Sequence, residues 1–270
     1  MQATDQCPTA AAPYLGAAAV VVNRRAANSA RLDGSQGAPQ PIPVVFGVLW
    51  HAEPMHYVLT INQRDSRESG DLVPELIRSL RHLPAAVPFQ RSVGDEAQGV
   101  LADASTAVDA ALAAIRQRRW NVGIGVGELR PPLEQNILDN DGFGLVYARR
   151  AVVRAQKTGE RIPLAVDGPD ADIAAEAQAV LRLLGQIVAS RTDAEWKVLD
   201  LMTPGARGQQ KYVAEILGIT TQAVSKAVVR SHWQEEWATR PAAARLLSLC
   251  AGPAPLPPAV PAFAPAAQGA

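Results

Sequence analysis

Two short stretches of this chain carry residue types that could do chemistry. The first is residues 209–231, QQKYVAEILGITTQAVSKAVVRS. Its polar side chains Thr221, Gln222, Ser225, Lys226 and Arg230 can hydrogen-bond base edges or phosphate oxygens. Lys211 and Arg207 add positive charge beside them, and Glu215 opposes it. The second stretch is residues 93–101, VGDEAQGVL. Asp95 and Glu96 place carboxylates at a turn, and a hard cation such as Mg²⁺ takes oxygen ligands. A metal that bridges phosphates needs a further oxygen, and Asn62 or Asp65 in TINQRDSR are the candidates. Arg149, Arg150 and Arg154 form a basic stripe, either a solvated helix face or a phosphate site facing Asp95. Gly-Asp-Glu also makes a plain hairpin turn with no ligand, so the motif alone does not assign a metal.

The spacing in the first stretch predicts a helix-turn-helix. Val213, Leu217, Ile219, Val224 and Val228 are apolar, and Ala214 is small where the second helix must approach. Gly218 stands where the chain leaves the first helix and tolerates the left-handed conformation of a tight turn. Thr220 or Thr221 can cap the second helix through its hydroxyl. A pair of this kind places its second helix in the DNA major groove. The alternatives are an ordinary helical hairpin with a polar face, or a pair that packs on a protein partner.

The acidic turn needs a sheet to hold it. HYVLTIN and PVVFGVLW are β-branched and aromatic runs that read as strands, and FQRSV and AQGVLA flank the turn as a hairpin. DLVPELIRSLRHL has helical period, with Leu72, Leu76, Leu80 and Leu83 on one face. STAVDAALAAIRQRR reads as a helix capped by Ser105. NVGIGVGEL reads as a buried strand whose glycines let something approach its backbone. A helix over GLVYARRAVVRAQK and a strand at IPLAV follow, giving one partly antiparallel sheet with helices packed on it. After Asp167 the pattern is purely helical. IAAEAQAVLRLLGQIVAS is one helix, Thr192 or Asp193 caps AEWKVLDLM, the helix pair follows, and RPAAARLLSLC ends the run. The expected organisation is a leader over 1–43, an α/β domain over 44–169, a helical DNA-binding domain over 170–251 and a Pro/Ala tail over 252–270.

Composition sets limits on function. The formal net charge of zero over 270 residues gives no whole-protein attraction to nucleic acid, so binding must rest on a local, salt-sensitive patch. Cys7 and Cys250 form no CxxC and no zinc pattern, which makes a reducing cytoplasm the default. The apolar run 10–22 is too short to span a bilayer and has the wrong charge polarity for a signal peptide. His51, His56, His82 and His232 show no ligand spacing and read as surface or boundary residues. No GxSxG elbow supports a hydrolase, and the glycines of GIGVGEL alternate along a strand instead of opening a dinucleotide-binding helix. Trp196, Trp233 and Trp237 read as packing residues.

In order and spacing, VGDEAQGVL, NVGIGVGEL and DNDGFGLVYARRAV together resemble the SatD-like family, which ends in a helix-turn-helix as this chain does. The likeness covers about 57–232. It implies an α+β, ferredoxin-like sheet similar to class III nucleotide cyclases and GGDEF proteins, followed by an all-α DNA-binding domain. In that fold one metal-binding Asp lies on the first strand and another in the hairpin. Here Asn62 falls at or near the first position, and Tyr147 takes the slot of a catalytic Asn. Losing a metal ligand and a donor should disable transition-state stabilisation. The expectation is a bacterial, cytoplasmic, dimeric DNA-binding regulator, not an enzyme. Its first domain would be a sensor or dimerisation module that at most holds a nucleotide or Mg²⁺ through Asp95, Glu96, Arg149 and Arg150. The rivals are an active cyclase or nucleotidyl-transfer enzyme, for which Asp65 and Asp95 would have to lie together, and a protein-interaction adaptor.

Overall fold

The apolar runs and glycine pattern fold as one five-stranded mixed sheet with helices packed on it. The computed structural model describes residues 55–157 and 162–251. The leader 1–43, the strand expected over 43–50, Cys7, His51 and the tail 252–270 lie outside the described residues. Strand β1 (Met55–Gln63) leads through a short turn of helix, α1 (Ser66–Ser69), to α2 (Val73–Leu80). The hairpin β2 (Val87–Arg91) and β3 (Glu96–Leu101) follows, then α3 (Ala104–Arg116) and β4 (Trp120–Glu128). A 3₁₀ turn (Ile137–Asp139), α4 (Phe143–Lys157) and β5 (Leu164–Asp167) complete the sheet region. Beyond it come α5 (Ala171–Ser190), α6 (Asp193–Leu199), α7 (Gln209–Leu217), α8 (Thr221–Arg230) and α9 (Trp233–Leu249).

The strand order is β2-β3-β1-β4-β5. Each neighbouring pair among the first four is antiparallel, and β5 joins β4 in parallel after the α4 crossover. Register separates two faces of different character. Ile61 lies opposite Ala97 and Val122, and this apolar face is covered by α2, α3, α5 and α9 in one continuous core. On the other face Thr60 lies opposite Gln98 and Gly123, while Asn62 lies opposite Glu96 and Asn121.

The element packed on that second face is α4, and the glycines of β4 admit it. A Cβ at Gly123, Gly125 or Gly127 would come within 2.3, 2.2 or 2.7 Å of backbone atoms of α4. Alternation puts all three on one face, so the helix rests directly on the strand.

Local chemistry sets several boundaries differently from the sequence expectation. α3 is capped by Asp103, whose carboxylate accepts from the Thr106 N–H at 2.8 Å, and Ser105 lies inside the helix. Asp103 precedes the first helical residue and so has the extended backbone a cap requires. α9 begins at Trp233, well before the expected Arg240, and carries Pro241 in its interior. Burial of Trp233, Glu236, Ala243, Ala244 and Leu247 holds that helix through a residue that usually ends one. His56 is buried at 6% exposure, not at a boundary.

α5 packs its Ala174, Ala177, Leu181, Leu184 and Val188 into the same core as the sheet, together with Ala243, Leu247 and Cys250 of the C-terminal helix region. Asp170 caps it by accepting from the N–H groups of Asp172 and Ile173. Among the described residues α5 is the one helix long and apolar enough to cross a membrane by length and composition, though its apolar stripe lies against protein. α6, α7 and α8 enclose a second small core of Val198, Leu199, Val213, Ala214, Val224, Ala227, Val228 and Trp233. Cys250 is buried against Asp170, and burial raises its thiol pKa to about 11.

Candidate functional site

The helix pair is built from a glycine turn and a threonine cap. Gly218 has φ +65°, and the N–H of Ile219 donates to the carbonyl of Ala214 at 3.0 Å, a Schellman-type stop for α7. Thr220, not Thr221, caps α8: its hydroxyl accepts from the N–H of Ala223 at 3.1 Å. Val213, Ala214, Val224 and Val228 are buried between the helices. Ile219 departs from the expected apolar register and is 41% exposed, because the left-handed turn at Gly218 swings it clear of the core. Leu217 is half-buried at the edge of that core.

The outward residues of α8 are Thr221, Gln222, Lys226 and Arg230, with Ser225 half-buried among them. Lys211 is exposed on α7. The side chains of Gln222, Lys226 and Lys211 make no hydrogen bond or ion pair within the described residues. Arg230 differs, since its Nε lies 3.4 Å from Glu195 of α6. Glu195 completes a capping box with Thr192. The Thr192 backbone N–H, chief among several contacts that include the Arg230 and Arg191 charges, holds its carboxyl below the usual range.

One feature here had no sequence signal. The Gln209 amide clamps the loop before α7: its Oε1 accepts from the Thr203 N–H at 2.7 Å, and its Nε2 donates to the carbonyls of Thr203 and Ala206 at 2.7 and 3.0 Å. Arg207 stands exposed in that loop, between Gly205 and Gly208, which have φ of +76° and +74°.

The second candidate lies where β1, β3 and β4 meet the hairpin. Asn62 Nδ2 donates to Asp95 Oδ1 at 2.8 Å, and Asn121 Nδ2 donates to Asn62 Oδ1 at 3.2 Å. The backbone N–H of Gln63 donates to the Asp95 carbonyl at 3.0 Å. Asn62 and Asp95 therefore come together through an amide-to-carboxylate hydrogen bond. Asp65 does not lie in the strand. It follows β1 with φ +53°, exposed, as the residue that starts α1.

Glu96 is not part of an open acidic tip. It is the first residue of β3, 7% exposed, and both its oxygens accept from Arg149 Nη1 at 2.6 Å. Arg150 and Arg154 do not face Asp95, since both reach Asp167 of β5, at 3.1 and 2.9 Å. The helical period explains this division: four residues separate Arg150 from Arg154 on one stripe, while Arg149 sits a step around the helix toward β3. Tyr147 lies further toward the start of α4, near Phe143 and Arg150. A cavity of about 620 Å³ lies at the far end of β4, lined by Met55, Glu128, Phe143, Tyr147, Asp170 and Asp172, away from Asp95. Among the described residues no group of three or more His, Cys, Asp or Glu could hold a metal ion.

Two arrangements are thus in place: a helix whose outer polar side chains, Arg230 apart, are unengaged within the described residues, and a sheet end whose charges answer one another. Comparison with family models, with curated proteins and with solved structures finds no match for this chain.

Proposed function

We propose that this protein is a DNA-binding regulator that reads duplex DNA with α8. One observation carries the proposal: α8 is locked against α7 by buried valines while Thr221, Gln222 and Lys226 stay exposed and unpaired. Gln can bond adenine bidentately, and Lys can reach guanine or a phosphate. Lys211 and Arg207 supply further phosphate contacts, and Arg230 joins them if it leaves Glu195. Two copies acting on two half-sites would add binding energy and discrimination, so we propose a homodimer working in the cytoplasm. Selection of tight binders from random duplexes, followed by anisotropy titration across a salt series, tests this. A site-specific Kd that weakens steeply with salt is expected. No preference among duplexes, with no salt dependence, would refute it.

We further propose that the α/β region is a cyclase-like module that does not turn over nucleotide. The antiparallel order β2-β3-β1-β4, with a hairpin carrying Asp95 beside the end of β1, supports that likeness. Asn62 donates to Asp95 where a second metal-binding carboxylate would be needed, and Arg149 already occupies Glu96. Two-metal phosphoryl transfer needs paired carboxylates around the ions. Incubation with ATP or GTP and Mg²⁺ or Mn²⁺ should give no more cyclic product than an Asp95→Ala control. Product lost in that control would establish an enzyme instead.

A further inference from the structure

One side chain reaches three helices where the sheet layers meet the helix pair. Arg191 is the C-cap of α5 and is 2% exposed. Its Nε donates to the carbonyl of Ser231, the C-cap of α8, at 2.9 Å. Its Nη2 lies 2.6 Å from the carboxylate of Glu236 on α9. Its guanidinium carbon stands 4.9 Å from the ring centroid of Trp196 on α6. The contacts continue into the α/β layers. Glu236, 1% exposed, also accepts from Arg240, and Arg240 Nη1 donates to Asp109 of α3 at 2.5 Å. Arg116 of α3 covers the Trp196 ring at 3.8 Å and grips Asp200, the C-cap of α6, with two bonds of 2.7 Å.

A guanidinium stays charged when buried, so its charge must be met in place. Its planar group donates a directed hydrogen bond to a carbonyl, sets its charge against a carboxylate in ion-pair contact without hydrogen-bond alignment, and lies near a ring. A lysine is a point charge with no plane and cannot hold all three at once. The carbonyl it holds belongs to the end of the very helix whose outward Thr221, Gln222 and Lys226 are unpaired within the described residues.

We propose that Arg191 is the positioning residue that fixes the attitude of α8 against the α/β layers, and so sets the angle at which α8 enters DNA. The DNA part of this rests on the function proposed above. Arg191 touches no base or phosphate itself; it acts through the C-cap of α8.

Two readouts on the full-length chain carrying Arg191→Lys test it. In hydrogen exchange, amides of α6, α8 and the first turns of α9 should exchange about tenfold faster or more, while those of β1, β3 and β4 keep their wild-type rates. Equal acceleration everywhere, or none, would overturn the proposal. In DNA binding, the ratio of affinity for a selected duplex to that for random duplex should fall about tenfold or more, with random-duplex affinity retained, since the phosphate-contacting charges are unchanged. An unchanged ratio would overturn the role in reading DNA. If the wild-type chain prefers no duplex, the DNA reading fails, and the exchange data still decide whether Arg191 sets α8. Arg116→Ala, on the half-exposed side of the same joint, should give the same exchange pattern in smaller measure and covers the case in which the buried substitution prevents folding.

Discussion

The outer face of α8 and the hairpin end of the sheet hold similar residue types in opposite states. At the hairpin end Asp95 is met by Asn62 and Glu96 by Arg149, and further along the sheet Asp167 is met by Arg150 and Arg154. On α8, Gln222 and Lys226 are exposed and unpaired. Charge answered within the fold contributes to the fold and leaves little for a ligand. Charge left open on a rigid helix has no structural use that the contacts reveal. Motifs alone do not make this distinction, because Arg149 and Lys226 are both simply basic residues on amphipathic helices.

The largest expected effect probes how tightly the sheet region is closed. Gly125→Val puts a side chain into the backbone of α4, where a Cβ alone would lie 2.2 Å from the Ala148 nitrogen. We expect a loss of more than about 3 kcal/mol or failure to fold, read by thermal or urea denaturation. The contrasting change, Ala223→Val on exposed α8, should cost under about 1 kcal/mol. Similar costs at both positions would break the comparison.

A second test concerns the ion pair. Arg149→Met leaves the Glu96 carboxylate buried without its cation. Because the Arg149 side chain is itself 61% exposed, the expected cost is about 1–2 kcal/mol, below that of breaking a fully buried pair. The double variant Arg149→Met, Glu96→Gln should recover part of that loss. Recovery of none would mean the pair is not what holds Glu96 there.

The smallest effect sharpens the α6 side of the comparison. The folded-state pKa of Glu195 is lowered by the Thr192 N–H, so its contribution is present above the unfolded value of about 4.5 and is lost as pH falls through the lower folded value. Glu195→Gln should therefore cost about 1 kcal/mol near pH 7, with the difference from wild type shrinking below about pH 4. A difference independent of pH would assign the effect to packing.

Much of the fold was legible because its signals are local. The β-branched run over β1, the hairpin around Gly94, and the Gly218 turn with a threonine cap after it each follow from local residue preferences, while only the structure chooses Thr220 over Thr221 as that cap. The glycines of β4 announced a close approach, and α4 is what approaches. Less was legible where partners are distant in sequence. That Arg150 and Arg154 turn to Asp167 while Arg149 turns to Glu96 depends on where β5 and β3 lie under α4. Arg191 carries no sequence signal of its role, because its partners Ser231 and Glu236 are 40 and 45 residues away. Asp103 and Ser105 both have capping chemistry, and only the backbone conformation at the helix start separates them.

The central claim is that the open polar face of α8 reads DNA, and the double variant Gln222→Ala, Lys226→Ala tests it most directly. Wild-type and variant chains should have the same melting temperature, because neither side chain is engaged within the described residues. Against a duplex selected by the wild-type chain, the variant should lose roughly 1–3 kcal/mol for each base contact removed, with a shallower salt slope if Lys226 meets a phosphate. Wild-type affinity and salt slope in the double variant would contradict the account.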